Sequence, residues 1–176
     1  MIDLSQNHFE LFGLPQRYRC DMAALDRAYR RLQSDVHPDR HAGGSDAQKR
    51  AALQASARVN EAYRALKDAV ARAQYLLQLQ GIDAFDETDT ALPLEFLERQ
   101  LERREAADEA MAQHDERALS ALIDGVRGDA AEIESGLAQM LDDQHAYAAA
   151  RMPVRELKFL GKLAFDIDEL QASLTD

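Results

Sequence analysis

Cysteine, proline and glycine are all scarce in this chain, and each scarcity closes off a class of protein. A single cysteine, Cys20, excludes an internal disulfide and any metal cluster held only by this chain's thiolates. Eight glycines and four prolines leave little to interrupt helices. Ala, Leu, Glu, Gln and Arg dominate instead, residues that lose little side-chain freedom in a helix, so the expected fold is all-α. No apolar run approaches the roughly 20 residues needed to cross a bilayer. The stretch from Met1 to Leu11 carries acids and no basic segment ahead of an apolar one, so a secretory signal is not expected. A P-loop and a glycine-rich dinucleotide turn are both missing, which removes the usual nucleotide sites. These absences predict a cytoplasmic, reduced, soluble protein.

What is present is a chain of 176 residues, 46% hydrophobic, long enough for one large domain or two small ones. Its net charge of −11 is unevenly placed. Residues 1–80 hold 12 Lys/Arg against 9 Asp/Glu, whereas residues 81–176 hold 9 against 23. Such asymmetry predicts two modules that face different partners. The acidic total argues against nucleic acid, whose phosphates demand a basic footprint.

Phe9, Leu11 and Phe12 predict a short apolar helix, stopped by Gly13-Leu14-Pro15. Asp21 is placed to cap the next helix. There Leu25, Ala28, Tyr29, Leu32 and Val36 fall at offsets 0, 3, 4, 7 and 11, one apolar stripe at helical spacing. Pro38 must end that helix near Val36. Ser45 or Asp46 can cap a third, with Ala52, Val59, Tyr63, Leu66 and Val70 along one face. Two such stripes joined by a loop make an antiparallel hairpin, and a last helical piece stops at Gly81. Tyr29, Leu32, Val59, Tyr63 and Leu66 are expected core. Residues 81–93 are acidic and aperiodic, as a linker would be.

Pro93 suits the start of a charged helix over Leu94 to about His114. Asp115 can cap another to about Ala150, weakened at Gly125 and Gly128, and Pro153 is expected to open a final one. The expected architecture is therefore a helical hairpin with short flanking helices over residues 1–80, the linker 81–93, and an acidic three-helix bundle over residues 94–176.

Between the hairpin helices stands Val36-His37-Pro38-Asp39-Arg40. It directly follows an amphipathic helix bearing Arg27, Arg30 and Arg31 outside its apolar stripe. Asn60-Glu61-Ala62-Tyr63-Arg64-Ala65-Leu66 closes the hairpin. A rival reading is a metal-dependent hydrolase, since Asp35, His37, Asp39 and His41 alternate and on a strand would share a face. Pro38 and the preceding helix argue for a turn, and no second His/Asp cluster completes a site, so no metal is expected. His8, His114 and His145 have no ligand spacing and are expected at the surface.

The arrangement over roughly residues 7–80 resembles the J domain. That resemblance implies docking on the ATPase domain of a DnaK-type chaperone through His37, Pro38, Asp39, Arg40, Arg27, Arg30 and Arg31. The physics suits the role. Proline stiffens the loop, so less entropy is lost on docking. Asp39 offers a carboxylate for charge-assisted bonds, and the arginines steer encounter with an acidic surface.

The chain has no Gly/Phe-rich linker and no CxxC repeat. With its Phe-Gly-Leu-Pro start, the segment Arg72-Ala73-Gln74-Tyr75-Leu76-Leu77 and its acidic helical C-terminal half, it is similar to the HscB family, co-chaperones of iron–sulfur cluster assembly. The resemblance implies a non-enzymatic adaptor without a cofactor. Its J domain would recruit the DnaK-type ATPase HscA, and its C-terminal bundle would bind the cluster scaffold protein IscU. The scaffold face maps onto Leu97, Leu101, Glu102, Glu105, Glu109 and Phe159. One departure is Glu98, where relatives carry an apolar residue. A J-domain protein with a different client is the alternative, because an acidic stripe beside leucines is also what a solvated helix face looks like.

Overall fold

The computed structural model describes residues 3, 5–36, 43, 45–86, 88 and 91–174. It contains the helices α1 (His8–Phe12), α2 (Met22–Val36), α3 (Asp46–Lys67), α4 (Ala69–Gln78), α5 (Leu94–Ala112), α6 (Glu116–Ala138) and α7 (Tyr147–Ser173). A π-helical turn, Gln139–Asp143, extends α6. The chain divides into two compact units, Met1–Leu76 and Leu77–Asp176.

In the first unit local chemistry sets the helix ends. Asn7 and Glu10 form a reciprocal capping box on α1, and Gly13 ends that helix in the left-handed region at φ 65°. Asp21 accepts from the Ala24 amide at 2.9 Å, the cap expected for α2. Ser45 and Gln48 box the start of α3. The α2/α3 hairpin closes over Leu25, Val59 and Leu66, all fully buried, with Phe9 of α1 beneath. Tyr29 and Tyr63 are half-buried and stack at 3.9 Å between ring centres. Their hydroxyls cross-link the helices, Tyr29 donating to Asn60 at 3.0 Å and Tyr63 to Asp26 at 2.9 Å.

His8 departs from expectation. It is buried, 5% exposed, with its ring stacked on Tyr75 at 3.9 Å and its amide donating to the Tyr75 hydroxyl at 3.0 Å. Burial, and then the Arg58 guanidinium, hold its pKa down at about 4, against a weaker upward pull from Glu61. The folded state therefore binds fewer protons at this site than the unfolded chain between about pH 6.5 and 4. Stability should fall as pH drops through that window, by up to about 3 kcal/mol in all. Urea melts at pH 7.5 and pH 4.5 check this. His8→Phe, which cannot titrate, should lose a correspondingly smaller part of its stability on acidification.

The second unit is the three-helix bundle. Phe96 meets Phe159 and Arg104 meets Asp166, so α5 and α7 run parallel. Arg127 pairs with Asp168 and Ser120 accepts from Gln171, so α6 runs antiparallel to α7. The core between them holds Leu119, Ile123, Val126, Leu160, Leu163 and Ile167. Asp115 caps α6 through the amides of Arg117 and Ala118, as expected.

Three features of this unit differ from the sequence reading. Helix α6 passes straight through Gly125 and Gly128 and gives way after Ala138 to the π-helical turn. His145 then takes a left-handed conformation at φ 54°, which ends the helix before residue 150. Pro153 lies inside α7 rather than at its start. The carbonyl that its missing N–H would have engaged belongs to exposed Ala149, where solvent can take it.

The segment following Gly81 is fastened to α7. Arg151 donates to the Asp83 carbonyl at 2.8 Å, Arg155 to the carbonyls of Ala84 and Ala91, and the Lys158 ammonium lies 4.0 Å over the Phe85 ring. An aperiodic stretch is here given its conformation by basic side chains some 70 positions later in the sequence.

Candidate functional site

Two surfaces carry the residues singled out by the sequence, one in each unit. In the first, α2 buries Leu25 and Ala28 and turns Arg27, Arg30 and Arg31 outward, all three exposed. The neighbouring Asp26 is held against α3 by the Lys67 ammonium at 2.8 Å and by the Tyr63 hydroxyl. These bonds, the Lys67 one foremost, hold the Asp26 carboxyl below its usual pKa. The one acid among the arginines is thus committed to the hairpin, and the outer face is basic. Helix α2 stops at Val36, 5% exposed. His37, Pro38, Asp39 and Arg40 follow it directly and lie outside the described residues.

Asp35 sits in the last turn of α2, so the extended run that would align it with His37, Asp39 and His41 does not begin there. Among the described residues no group of three His, Cys, Asp or Glu side chains gathers to hold a metal. Cys20 is half-buried, and burial pushes its thiol pKa up, away from the reactive thiolate. No helix among the described residues is long and apolar enough to cross a membrane.

In the second unit the outer face of α5 presents Leu97 and Leu101, 39% and 57% exposed. Glu98, Glu102, Glu105 and Glu109 are exposed alongside them. The arginines of the same helix point elsewhere. Arg103 reaches Asp129 of α6 at 2.8 Å, and Arg104 reaches Asp166 of α7 at 3.4 Å. Their charge is drawn to the flanks, which leaves the outer stripe negative around its leucines.

Phe159 is half-buried, its ring edge-on to Phe96 at 5.7 Å. It is both a packing residue and an accessible one. Leu94, on the same stripe but outside the scaffold face that the resemblance implies, is 69% exposed and occupies the first turn of α5.

The comparison with known proteins agrees with this two-unit layout. The model of the DnaJ domain matches residues 7–75, and that of the HSCB C-terminal oligomerisation domain matches residues 92–168. Over 173 residues the chain is 46% identical to the co-chaperone protein HscB homolog of Azoarcus sp. (strain BH72), covering 98% of each. The chain belongs to the HscB co-chaperone family. The HscB homolog of Ralstonia nicotianae is 44% identical over the full length of both chains. Among solved structures, HscB from Vibrio cholerae superposes with a TM-score of 0.87 at 36% identity, over 96% of this chain and 99% of that one. Human HscB also gives 0.87, at 26% identity, over 94% of this chain and 82% of that one. HscB membership makes this a J-domain co-chaperone with an all-helical C-terminal domain.

Proposed function

We propose that this HscB-family chain is a cytoplasmic adaptor with two docking faces and no catalysis of its own. Residues 1–80 stimulate the ATPase of a DnaK-type chaperone of the HscA kind, through Arg27, Arg30, Arg31 and the His37-Pro38-Asp39-Arg40 loop. Residues 94–176 hold an iron–sulfur scaffold of the IscU kind against Leu97, Leu101, Glu102, Glu105, Glu109 and Phe159. The observation that carries this reading is the exposure of Leu97 and Leu101 on a negative stripe, in a chain that also presents three arginines outward on α2.

Exposed leucines ringed by like charge suit a partner with an apolar centre and a basic rim. The arginines suit an acidic one, so the two faces select different proteins. Handing the client over then needs no chemistry from the chain itself. It raises the client's effective concentration at the chaperone by holding both at once.

The test is ATP turnover by the cognate HscA-type chaperone, with this chain and the IscU-type scaffold added separately and together. The chain alone should raise turnover several-fold, and both together should raise it beyond either alone. Stimulation indifferent to the scaffold would assign a different client. Absence of stimulation would overturn the J-domain role.

A further inference from the structure

The most exposed large apolar side chain on α5 is one the proposed scaffold face does not include. Among the described residues the large hydrophobics left in solvent are Leu53, Leu79, Leu94, Leu97, Leu101 and Phe165. Three of these six fall on a single stripe of one helix, at positions 94, 97 and 101, while the others are scattered over α3, the turn after α4, and α7. Single exposed leucines are ordinary on protein surfaces, and it is the alignment of three that marks a docking strip. Leu94 is 69% exposed, so most of its side chain is left in solvent by its own unit. The helix start at Pro93 makes no side-chain cap bond that Leu94 could be supporting.

Glu98 stands one turn after Leu94 on the same stripe, between Leu94 and Leu101. A carboxylate set among apolar side chains is weak while water covers it. It strengthens once a partner closes the leucines around it and the local dielectric falls.

We infer that Leu94 and Glu98 together form the first contact of the scaffold-docking strip, with Glu98 receiving a basic side chain of the scaffold and Leu94 sealing that pair from water. This rests on the scaffold reading above. It extends the footprint to the first turn of α5, so that the apolar strip from Leu94 to Leu101 spans about 10 Å. The matching surface on the scaffold carries a lysine or arginine with apolar groups on both sides along the strip. The carboxylate at position 98 is, on this view, a specificity element, favouring a scaffold with a basic side chain at that point over one with an apolar side chain.

The test is calorimetric binding of the IscU-type scaffold to the full chain, at low and at high salt. Leu94→Ser should weaken binding about tenfold, the worth of most of one buried leucine. Leu94→Met should restore most of it. Glu98→Gln should weaken binding about threefold at low salt and less at high salt, and its effect should shrink further in the Leu94→Ser background, where the ion pair stays wet. Leu53→Ser, an equally exposed leucine in the other unit, should leave affinity unchanged. All these side chains are exposed, so thermal unfolding should be unaffected throughout.

If Leu97→Ala and Leu101→Ala weaken binding while Leu94→Ser or Glu98→Gln is silent, the extended footprint is overturned and the scaffold reading stands. If the unsubstituted chain fails to bind the scaffold, both fall together.

Discussion

Asp39→Asn should abolish stimulation of the HscA-type ATPase and leave affinity for the IscU-type scaffold unchanged. The substitution preserves size but removes the charge and replaces one acceptor oxygen by an NH2 donor, and charge-assisted bonds are about twice as strong as neutral ones. Losing one side of a desolvated charged contact costs about 2–5 kcal/mol, which weakens docking by a factor of about 30 to several thousand. The reciprocal variant joins Leu97→Ala, Leu101→Ala and Phe159→Ala. Its scaffold affinity should fall on the order of 100-fold or more from the two leucines alone, with basal stimulation of the ATPase intact. Leu97 and Leu101 are exposed, so their loss leaves the fold unaffected, whereas Phe159 packs on Phe96 and its removal lowers stability as well. A paired measurement of ATP turnover and scaffold binding on both variants decides the matter. Loss of both activities in both folded variants would show that the two faces do not act separately.

The expectation of two helical units came from features that are local in the sequence, whereas the docking role of each came from the resemblance to the HscB family. The stripe at Leu25, Ala28, Tyr29 and Leu32 predicts α2 because its spacing is set by the helix itself. The caps at Asp21, Ser45 and Asp115 are each read within four residues. Charge patterning worked for the same reason, since an exposed stripe on α5 is a property of one helix.

What the sequence did not give depends on distant groups. His8 has no nearby signal of burial, because the ring that covers it belongs to Tyr75. The conformation of the chain at Asp83, Ala84 and Phe85 is set by Arg151, Arg155 and Lys158 on α7. Pro153 ordinarily opens helices, and only an exposed preceding turn makes it tolerable within one. Phe159 sits on a boundary between core and surface that no periodicity resolves, since the angular position of a half-buried side chain depends on how its neighbours pack.

Arg72 shows how one residue of a family-like segment becomes a structural centre, and removing it should produce a large loss of stability in the first unit. Its side chain is 6% exposed, and Nε donates to the Tyr18 carbonyl and Nη1 to the Leu66 carbonyl, both at 2.7 Å. The guanidinium also lies 4.9 Å over the Tyr18 ring. Those contacts tie the loop after α1 and the end of α3 to α4, elements that share no backbone ladder. Arg72→Ala forfeits two charged bonds to interior carbonyls, a cost of about 3–4 kcal/mol. For a unit of this size that corresponds to a fall in unfolding temperature of roughly 15–25 °C, read as loss of helical circular dichroism. Arg72→Lys is the informative companion. A single ammonium carries the same charge without the planar fork that serves two carbonyls at once, so it should recover only part of the loss. If lysine restored full stability, charge would be the operative property and the fork geometry would be incidental. If alanine itself were tolerated, the two carbonyls would have to find water, and the segment Arg72 to Leu77 would owe its composition to something other than the packing of the J domain.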